Sequence, residues 1–354
     1  MLTKRNFEET IRRHRCLQGA RRGCLIHTFL PEEDEISQSV RIPPLETFDF
    51  EEKPLELPEY MCKRAEKVFS FRADYPDDSL PCLPLRYGSG IIAGMILGKI
   101  RYGANTSWIE PAGKTLDEAI QFKFEERSTI FNYAIEGLQY ATERLANKAY
   151  VYLEGYHTPL ELAMILRGGN FCLDLYLQPE KMHHLIRRCD EVLYKIYREI
   201  DRIVQSPNYG KLAALLWMEQ CIPFLSEDAA GLISPVHYRE FGIPYTEKMF
   251  ERFGGGFLHA HTQAYHQMEN FSSMKSLTIY NWRPDPNTME ACDILPQLSP
   301  GAQKKIVAIV ISPEKIRRNI RILSEGRYFL LTFCENRRQQ KDIVEFVKEH
   351  APIV

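Results

Sequence analysis

The chain has 354 residues, of which 44% are hydrophobic and 26% are charged, and its formal net charge is −2 at pH 7. These values are typical of a soluble globular protein, and a nearly neutral chain gives no reason to expect binding to nucleic acid or to a membrane surface. The chain begins with a charged stretch, and its most apolar run, residues 91–97, is far shorter than the ~20 residues that span a bilayer. We therefore expect a cytoplasmic protein.

The first 75 residues differ from the rest of the chain. An arginine-rich helix is predicted at 6–18, and an acidic segment with repeated prolines follows at 31–58, where X-Pro steps disfavour regular structure. Because this part holds too few apolar residues for a core of its own, we expect residues 1–75 to be an N-terminal extension packed on a catalytic domain formed by residues 76–354. We interpret the arginines as a solvated helix face, with binding of a polycarboxylate or a partner as the alternative; they are Arg12, Arg13, Arg15, Arg21 and Arg22.

From about residue 80 onward, short apolar runs alternate with amphipathic stretches. Seven runs have the pattern of strands that are buried on both faces; they are 80–85, 149–154, 213–218, 256–259, 276–280, 305–311 and 328–333. Helices are predicted between and after them at 115–147, 179–204, 235–253, 313–325 and 337–350. Strands that alternate with helices form parallel βαβ units, and seven or eight such units favour a (β/α)₈ TIM barrel, with an open doubly wound sheet as the alternative.

The polar residues that follow the predicted strands are the candidates for chemistry, since TIM barrels carry their active sites at the carboxyl ends of their strands. His259 and His261 are two residues apart on one predicted strand, so both imidazoles point to the same face. Cys334 ends the last strand and offers a thiolate. Zinc accepts such a mixed ligand set, and three protein ligands with one open position form the catalytic arrangement. The alternative is a common His-x-His pair and a buried cysteine without function.

Two weaker patterns carry less information. The chain has nine cysteines without a CxxC pair, which argues against a disulfide framework. The glycines at 88, 90 and 94 are spaced GxGxxxG, with a further glycine at 98. This departs from the dinucleotide-binding fingerprint, so a close-packed turn is the better interpretation.

Several motifs resemble the uroporphyrinogen decarboxylase superfamily. They are HTPL at 157–160, LRG at 166–168, FCLDLY at 171–176, DAAGLISP at 228–235, YREF at 238–241 and GGFLHAH at 255–261. The resemblance extends over roughly residues 76–350 and is strongest from 150 to 262. It implies a TIM barrel, in agreement with the alternation of strands and helices.

The superfamily contains porphyrin decarboxylases and zinc methyltransferases that move a methyl group between a corrinoid protein and a thiol. The decarboxylases carry an Arg-Gln-Ala-Gly-Arg motif, of which residues 19–23 are only a loose echo. Their tyrosine and their final Gly-His-Gly motif are replaced here by Ile165 and by residues 333–335. The methyltransferases bind zinc through His-x-Cys and a distant Cys, which match His259 and Cys334, while His261 stands in place of the middle cysteine.

The resemblance therefore implies a zinc-dependent methyltransferase that acts with a corrinoid, such as methylcobalamin, carried by a partner protein. His259, His261 and Cys334 are the expected zinc ligands, with Asp228 or Glu154 as a fourth ligand; Asp228, Glu154 and Tyr156 are the expected catalytic residues, and Tyr87, Asn281 and Trp282 are the expected substrate-binding residues. Loss of one thiolate would make the zinc more Lewis acidic and would weaken its activation of a thiolate acceptor. The alternatives are a metal-free decarboxylase that acts on a porphyrinogen or another polycarboxylate, and a barrel that binds a ligand without turnover. A homodimer is a further expectation.

Overall fold

The computed structural model describes residues 3–204, 210–297 and 304–354, and in these ranges the chain has an α/β fold. The strands are β1 (Gly23–Phe29), β2 (Cys82–Leu85), β3 (Arg101–Tyr102), β4 (Ser107–Trp108), β5 (Tyr150–Leu153), β6 (Lys211–Ala213), β7 (Leu216–Met218), β8 (Ile222–Ser226), β9 (Gly256–His261), β10 (Ile279–Arg283), β11 (Ile306–Val310) and β12 (Arg327–Phe333). The helices are α1 (Phe7–Gly19), α2 (Pro31–Gln38), α3 (Glu56–Arg72), α4 (Ile91–Leu97), α5 (Leu116–Ile120), α6 (Thr129–Arg144), α7 (Pro159–Arg167), α8 (Phe171–Leu177), α9 (Pro179–Val204), α10 (Pro235–Phe241), α11 (Ile243–Phe253), α12 (Met268–Ser273), α13 (Ala291–Ile294), α14 (Pro313–Leu323) and α15 (Arg337–His350).

Parallel pairing dominates the sheets. Six strands form one parallel sheet in the order β1-β12-β11-β10-β9-β8, and β2 pairs in parallel with β5. A parallel bridge between His157, which lies beyond β5, and Ser226 of β8 connects the two groups. The pairs β3-β4 and β6-β7 are short antiparallel hairpins. The α/β class predicted from the sequence is therefore confirmed.

The strands of the parallel sheet differ from the predicted ones in the N-terminal segment and around residues 211–226. β1 lies within residues 1–75 and pairs with β12 along its whole length, so this segment supplies a strand of the central sheet. β8 follows directly after the predicted strand at 213–218, which is instead part of the β6-β7 hairpin. The apolar run resembles one continuous buried strand, but Ala214 has a φ of 51° and reverses the chain between the two arms.

Helix boundaries follow the start signals in the sequence. α9 and α15 have the predicted bounds, and Ser312 caps α14 by accepting a hydrogen bond from the Lys315 N–H. The predicted helix at 115–147 is divided into α5 and α6, because Ser128 caps a new helix. Segment 31–58, predicted to be irregular, contains α2, which begins at a proline in the favourable first position. None of the helices in the described ranges combines the length and the apolar character needed to cross a bilayer.

A buried ion network connects the beginning of the chain and α3 to β1. The carboxylate of Asp77 accepts hydrogen bonds from the Lys4 Nζ at 3.1 Å, the Thr28 N–H at 2.8 Å and the Ser79 hydroxyl at 2.6 Å. Arg72 of α3 lies 3.3 Å away on its other side. Burial alone raises the pKa of Asp77, but the charges of Lys4 and Arg72 outweigh burial and hold that pKa well below its usual value. Three separate segments therefore depend on one ionised carboxylate.

We expect the buried ring of His14 to cause a loss of stability in acid. Its Nε2 donates to the Asp78 carbonyl at 2.8 Å, and its Nδ1 accepts from the Trp217 N–H at 3.0 Å, so this fully buried ring must be neutral. Burial lowers the pKa of His14 to about 4 from a value of 6.5, so the unfolded chain binds a proton that the folded chain excludes. The resulting stability is fully present above pH 6.5 and is lost as the pH falls toward 4, by about 3 kcal/mol.

Urea unfolding at a series of pH values measures this effect. The His14→Gln variant keeps a polar side chain at this position but has no group that titrates in this pH range. We therefore expect its free energy of unfolding to fall less steeply than that of the wild type between pH 6.5 and 4. Equal slopes for the two proteins would contradict the assignment to His14.

Candidate active site

A cavity of about 1370 Å³ lies among the parallel strands, and all eight of them contribute side chains to its wall. The contributing residues alternate along each strand, as on β9 and β10, where they are Phe257, His259, His261, Ile279, Asn281 and Arg283. Since neighbouring residues of a strand face opposite sides, the residues between them point outward to the helices. The polar members of the wall lie mainly at and beyond the carboxyl ends of the strands.

The pairing register of β8 and β9 brings a carboxylate next to the two predicted histidines. Ser226 lies opposite His259, so Asp228, two residues further along, lies level with His261. Potential ligand atoms of Asp228, His259 and His261 lie within 4.8 Å of one another. The Asp228 Oδ1 is 3.5 Å from the His261 Nε2, and the two imidazole rings are 5.1 Å apart between centroids. We call these three residues the HHD cluster.

The next strand contacts the far nitrogens of both rings. Asn281 of β10 lies opposite His259, and its Oδ1 is 2.9 Å from the His259 Nδ1 in a hydrogen bond. Asp285 follows β10 by two residues, and its Oδ1 is 2.8 Å from the His261 Nδ1. Asn281, a predicted substrate-binding residue, lines the cavity, and its side-chain oxygen is engaged by His259.

Burial and charge determine the protonation of the HHD cluster. Burial, with a smaller contribution from the neighbouring His261, lowers the pKa of His259 to about 4, so His259 is neutral near pH 7. Burial raises the pKa of Asp228, an effect that the charge of His261 opposes and that of Asp285 reinforces. A neutral imidazole has a free lone pair, which is the form that binds a metal ion.

Cys334 does not lie in the HHD cluster. Phe329 and Leu331 of β12 line the cavity. Because side chains alternate along a strand, Cys334, three residues after Leu331, faces the opposite side of the sheet. The Cys334 side chain packs in the hydrophobic core between strands and helices, and burial raises the pKa of its thiol to about 11. The structure thus brings together the two predicted nitrogen ligands but places the predicted sulfur ligand elsewhere.

The same alternation separates the predicted aromatic residues. Trp282 lies between Asn281 and Arg283 and points outward, where it stacks on Phe271 at 5.1 Å between ring centroids. Tyr87 is also outside the cavity wall, packed against Phe50 at 5.4 Å. Both were predicted to bind substrate, and both belong instead to the packing between strands and helices.

Tyr156 and Glu154 do line the cavity. Tyr156 is fully buried and packs on Tyr197 with 4.5 Å between ring centroids, and burial raises the pKa of its hydroxyl well above the usual value. Glu154 is paired with Arg86, which also lines the cavity. Neither residue belongs to the HHD cluster, and Glu154 is therefore not placed as a ligand beside the two histidines.

Sequence reasoning missed two buried carboxyl groups beside the cluster. Glu161 of α7 lines the cavity and accepts a hydrogen bond from the Ala229 N–H at 2.7 Å; burial raises its pKa to about 8, with a further contribution from Asp228. Glu227 is fully buried and accepts a hydrogen bond from the Tyr238 hydroxyl at 3.1 Å; burial and the charge of Glu161 raise its pKa well above the usual value. The acidic pair at 227–228 was the available sequence signal.

The fold of this chain, rather than its sequence, relates it to known proteins. No protein-family model matches the sequence, and no curated protein matches it. Among solved structures, the chain is similar to a methyltransferase from Methanosarcina mazei, with a TM-score of 0.56 and 12% sequence identity over 94% of this chain and 96% of that chain. At this identity the similarity shows a common fold over nearly the full length of both chains.

Proposed function

We propose that this chain is a metal-dependent methyltransferase with a (β/α)₈ barrel fold, in which the HHD cluster binds zinc beside the cavity. The observation that carries the proposal is the convergence of Asp228, His259 and His261 within 4.8 Å at the carboxyl ends of parallel strands. Enzymes of this architecture carry their catalytic groups at that end of the strands. The similarity in fold to a methyltransferase supports the choice of reaction.

The donor set suits zinc or a related borderline ion. Imidazole nitrogen and carboxylate oxygen bind zinc at about 2.0 to 2.2 Å, and two histidines with one carboxylate leave a fourth position open for a substrate. Without a thiolate ligand, an ion bound here would keep more of its positive charge and would be a stronger Lewis acid. A metal in this site lowers the pKa of an acceptor group that binds to it.

The residues of the chain would bind and orient the acceptor around this position. Glu161, whose pKa burial raises to about 8, would serve as a proton donor, and Arg283 supplies a positive charge in the cavity wall one strand away from His261. The apolar wall below the cluster, which includes Phe257 and Ile279, keeps water from the reacting atoms. These groups determine which acceptor fits.

The size of the cavity supports a second bound group. Small-molecule sites are typically about 300 to 1000 Å³, and this cavity has about 1370 Å³. The additional space accommodates a methyl donor next to a small acceptor. We propose a methylated corrinoid on a partner protein as this donor, in keeping with the resemblance of the sequence to the corrinoid-dependent enzymes.

A decarboxylase that acts on a polycarboxylate is the second candidate. The observation in its favour is that three arginines line the cavity, namely Arg72, Arg86 and Arg283. Two of them are already neutralised within the protein, since Arg72 pairs with Glu33 and Arg86 pairs with Glu154. Lys4 also lines the cavity but pairs with Asp77, so among the wall residues that the structure describes Arg283 is the cation left without an ion pair. This offers little charge for a substrate with several carboxylates, which favours the methyltransferase.

A methyl-transfer assay tests the proposal. Purified protein loaded with zinc is incubated with methylcob(III)alamin and a set of thiol, amine and phenol acceptors, and the methylcob(III)alamin absorbance is followed. We expect its loss to depend on an acceptor and on zinc, and to stop after the zinc is removed with a chelator. Conversion of uroporphyrinogen in a parallel assay, without dependence on metal, would instead support the decarboxylase. Binding of either compound without turnover would contradict both enzymes and leave a ligand-binding barrel.

A further inference from the structure

The two histidines of the HHD cluster each have one ring nitrogen that meets a side chain on β10 or just after it. For His259 the contact defines the tautomer: the Asn281 Oδ1, 2.9 Å away, accepts a hydrogen bond, so the Nδ1 carries the proton. The Nε2 of the neutral ring is then left with its lone pair free. This is the nitrogen that binds a metal ion in such an arrangement.

Asp285 has the corresponding position for His261. Its Oδ1 lies 2.8 Å from the His261 Nδ1, although the two groups are not aligned as a hydrogen bond. About one third of the Asp285 side chain is exposed, so its carboxylate has room to turn toward the ring N–H. The opposite nitrogen, Nε2, is the one that faces Asp228 at 3.5 Å.

We infer that Asn281 and Asp285 are positioning residues, which hold the protons of His259 and His261 on Nδ1 and thereby direct both Nε2 atoms to one metal ion with Asp228. The inference rests on the proposed metal site and deepens it. Asn281 lies on β10 and Asp285 lies two residues after its end, so one short segment of the chain contacts both ligands. Metal sites commonly use a carboxylate or carbonyl acceptor in this way to fix a histidine ligand.

Matched variants separate an orienting role from a merely structural one. Asn281→Leu removes the acceptor with little change in size, whereas Asn281→Asp retains an acceptor; Asp285→Leu and Asp285→Asn form the second pair. Zinc affinity is measured on the full chain by competition with a chromogenic chelator, and Co²⁺ is added separately to record its visible absorption. We expect each leucine variant to bind zinc about 10- to 100-fold more weakly, and Asn281→Asp to bind it at least as tightly as the wild type.

The tautomer of His259 is a second readout, which reports the position of the ring proton directly. In ¹⁵N-histidine spectra of the metal-free protein, the wild-type His259 should have its proton on Nδ1, and Asn281→Leu should shift the ring toward a mixture of tautomers. Leucine variants that bind zinc as tightly as the wild type, with the tautomer unchanged, would overturn the inference while leaving the metal site intact. A wild-type protein that binds neither zinc nor cobalt would overturn the metal site and the inference together.

Discussion

Asp228→Ala is expected to release bound zinc from the purified protein, whereas Cys334→Ala is expected to leave it in place. The reason is geometric: Asp228 has an oxygen within 4.8 Å of ligand nitrogens on both histidines, and Cys334 is packed on the other side of the sheet. Loss of a direct ligand should weaken zinc binding by more than the 10- to 100-fold that follows loss of an orienting residue. Metal analysis after dialysis, combined with a chelator competition, measures the difference.

Two controls sharpen this comparison. Glu154→Gln removes another carboxylate from the cavity wall, one that is paired with Arg86, and should leave zinc affinity unchanged if position rather than charge matters. Alanine is preferred to serine at position 334, because a buried hydroxyl without a partner destabilises the fold. Release of zinc from Cys334→Ala, with retention by Asp228→Ala, would instead establish the thiolate ligand that the sequence suggested.

The contrast between Asp228 and Cys334 shows which parts of the site could be predicted from the sequence. A His-x-His pair on one strand needs only the two-residue period of the strand to share a face, and the structure does place His259 and His261 together. Asp228 and Cys334 follow other strands, β8 and β12. The direction of their side chains therefore depends on where those strands begin and how they pair. The register Ser226 to His259 gives Asp228 its place, and no local pattern in the sequence contains that register.

Errors in side-chain direction have the same origin. Trp282 and Tyr87 were predicted to face the cavity because they follow apolar runs that were recognised as strands. A shift of one residue in the inferred strand phase reverses every side chain, and Trp282 is in fact the outward neighbour of the inward-facing Asn281. Parallel strands buried on both faces are apolar throughout, so their sequences lack the alternation that would define the phase.

The fold was easier to predict than the site, except for the N-terminal segment of the chain. Long amphipathic helices such as α9 have clear start and stop signals, and their bounds agree with the prediction. The strand β1 within the N-terminal segment was not predicted, because it is flanked by charged residues and prolines. Its place in the sheet depends on contacts with residues far along the chain, since it pairs with β12.

Loss of the buried carboxylate of Asp77, which contacts Lys4, Thr28 and Arg72, is expected to cause a large decrease in stability. Asp77→Asn preserves the shape of the side chain but removes its charge, which leaves the buried Lys4 ammonium without its counter-ion and Arg72 with one partner fewer. Removal of one member of a buried ion pair typically costs about 3 to 5 kcal/mol. We therefore expect the free energy of unfolding, measured with urea at pH 7, to fall by this amount.

Asp117→Asn is the matched control for this prediction, because Asp117 also pairs with a lysine, Lys181, but both side chains are largely exposed. An exposed pair contributes at most about 1 kcal/mol, so this variant should unfold close to the wild type. The double variant Lys4→Met with Asp77→Asn removes the orphaned ammonium and should recover part of the loss, since an uncompensated buried charge costs more than an apolar replacement. Equal stabilities for Asp77→Asn and Asp117→Asn would mean that Lys4 and Arg72 reach water once the charge is removed, and that the N-terminal segment is held to β1 by its apolar contacts instead.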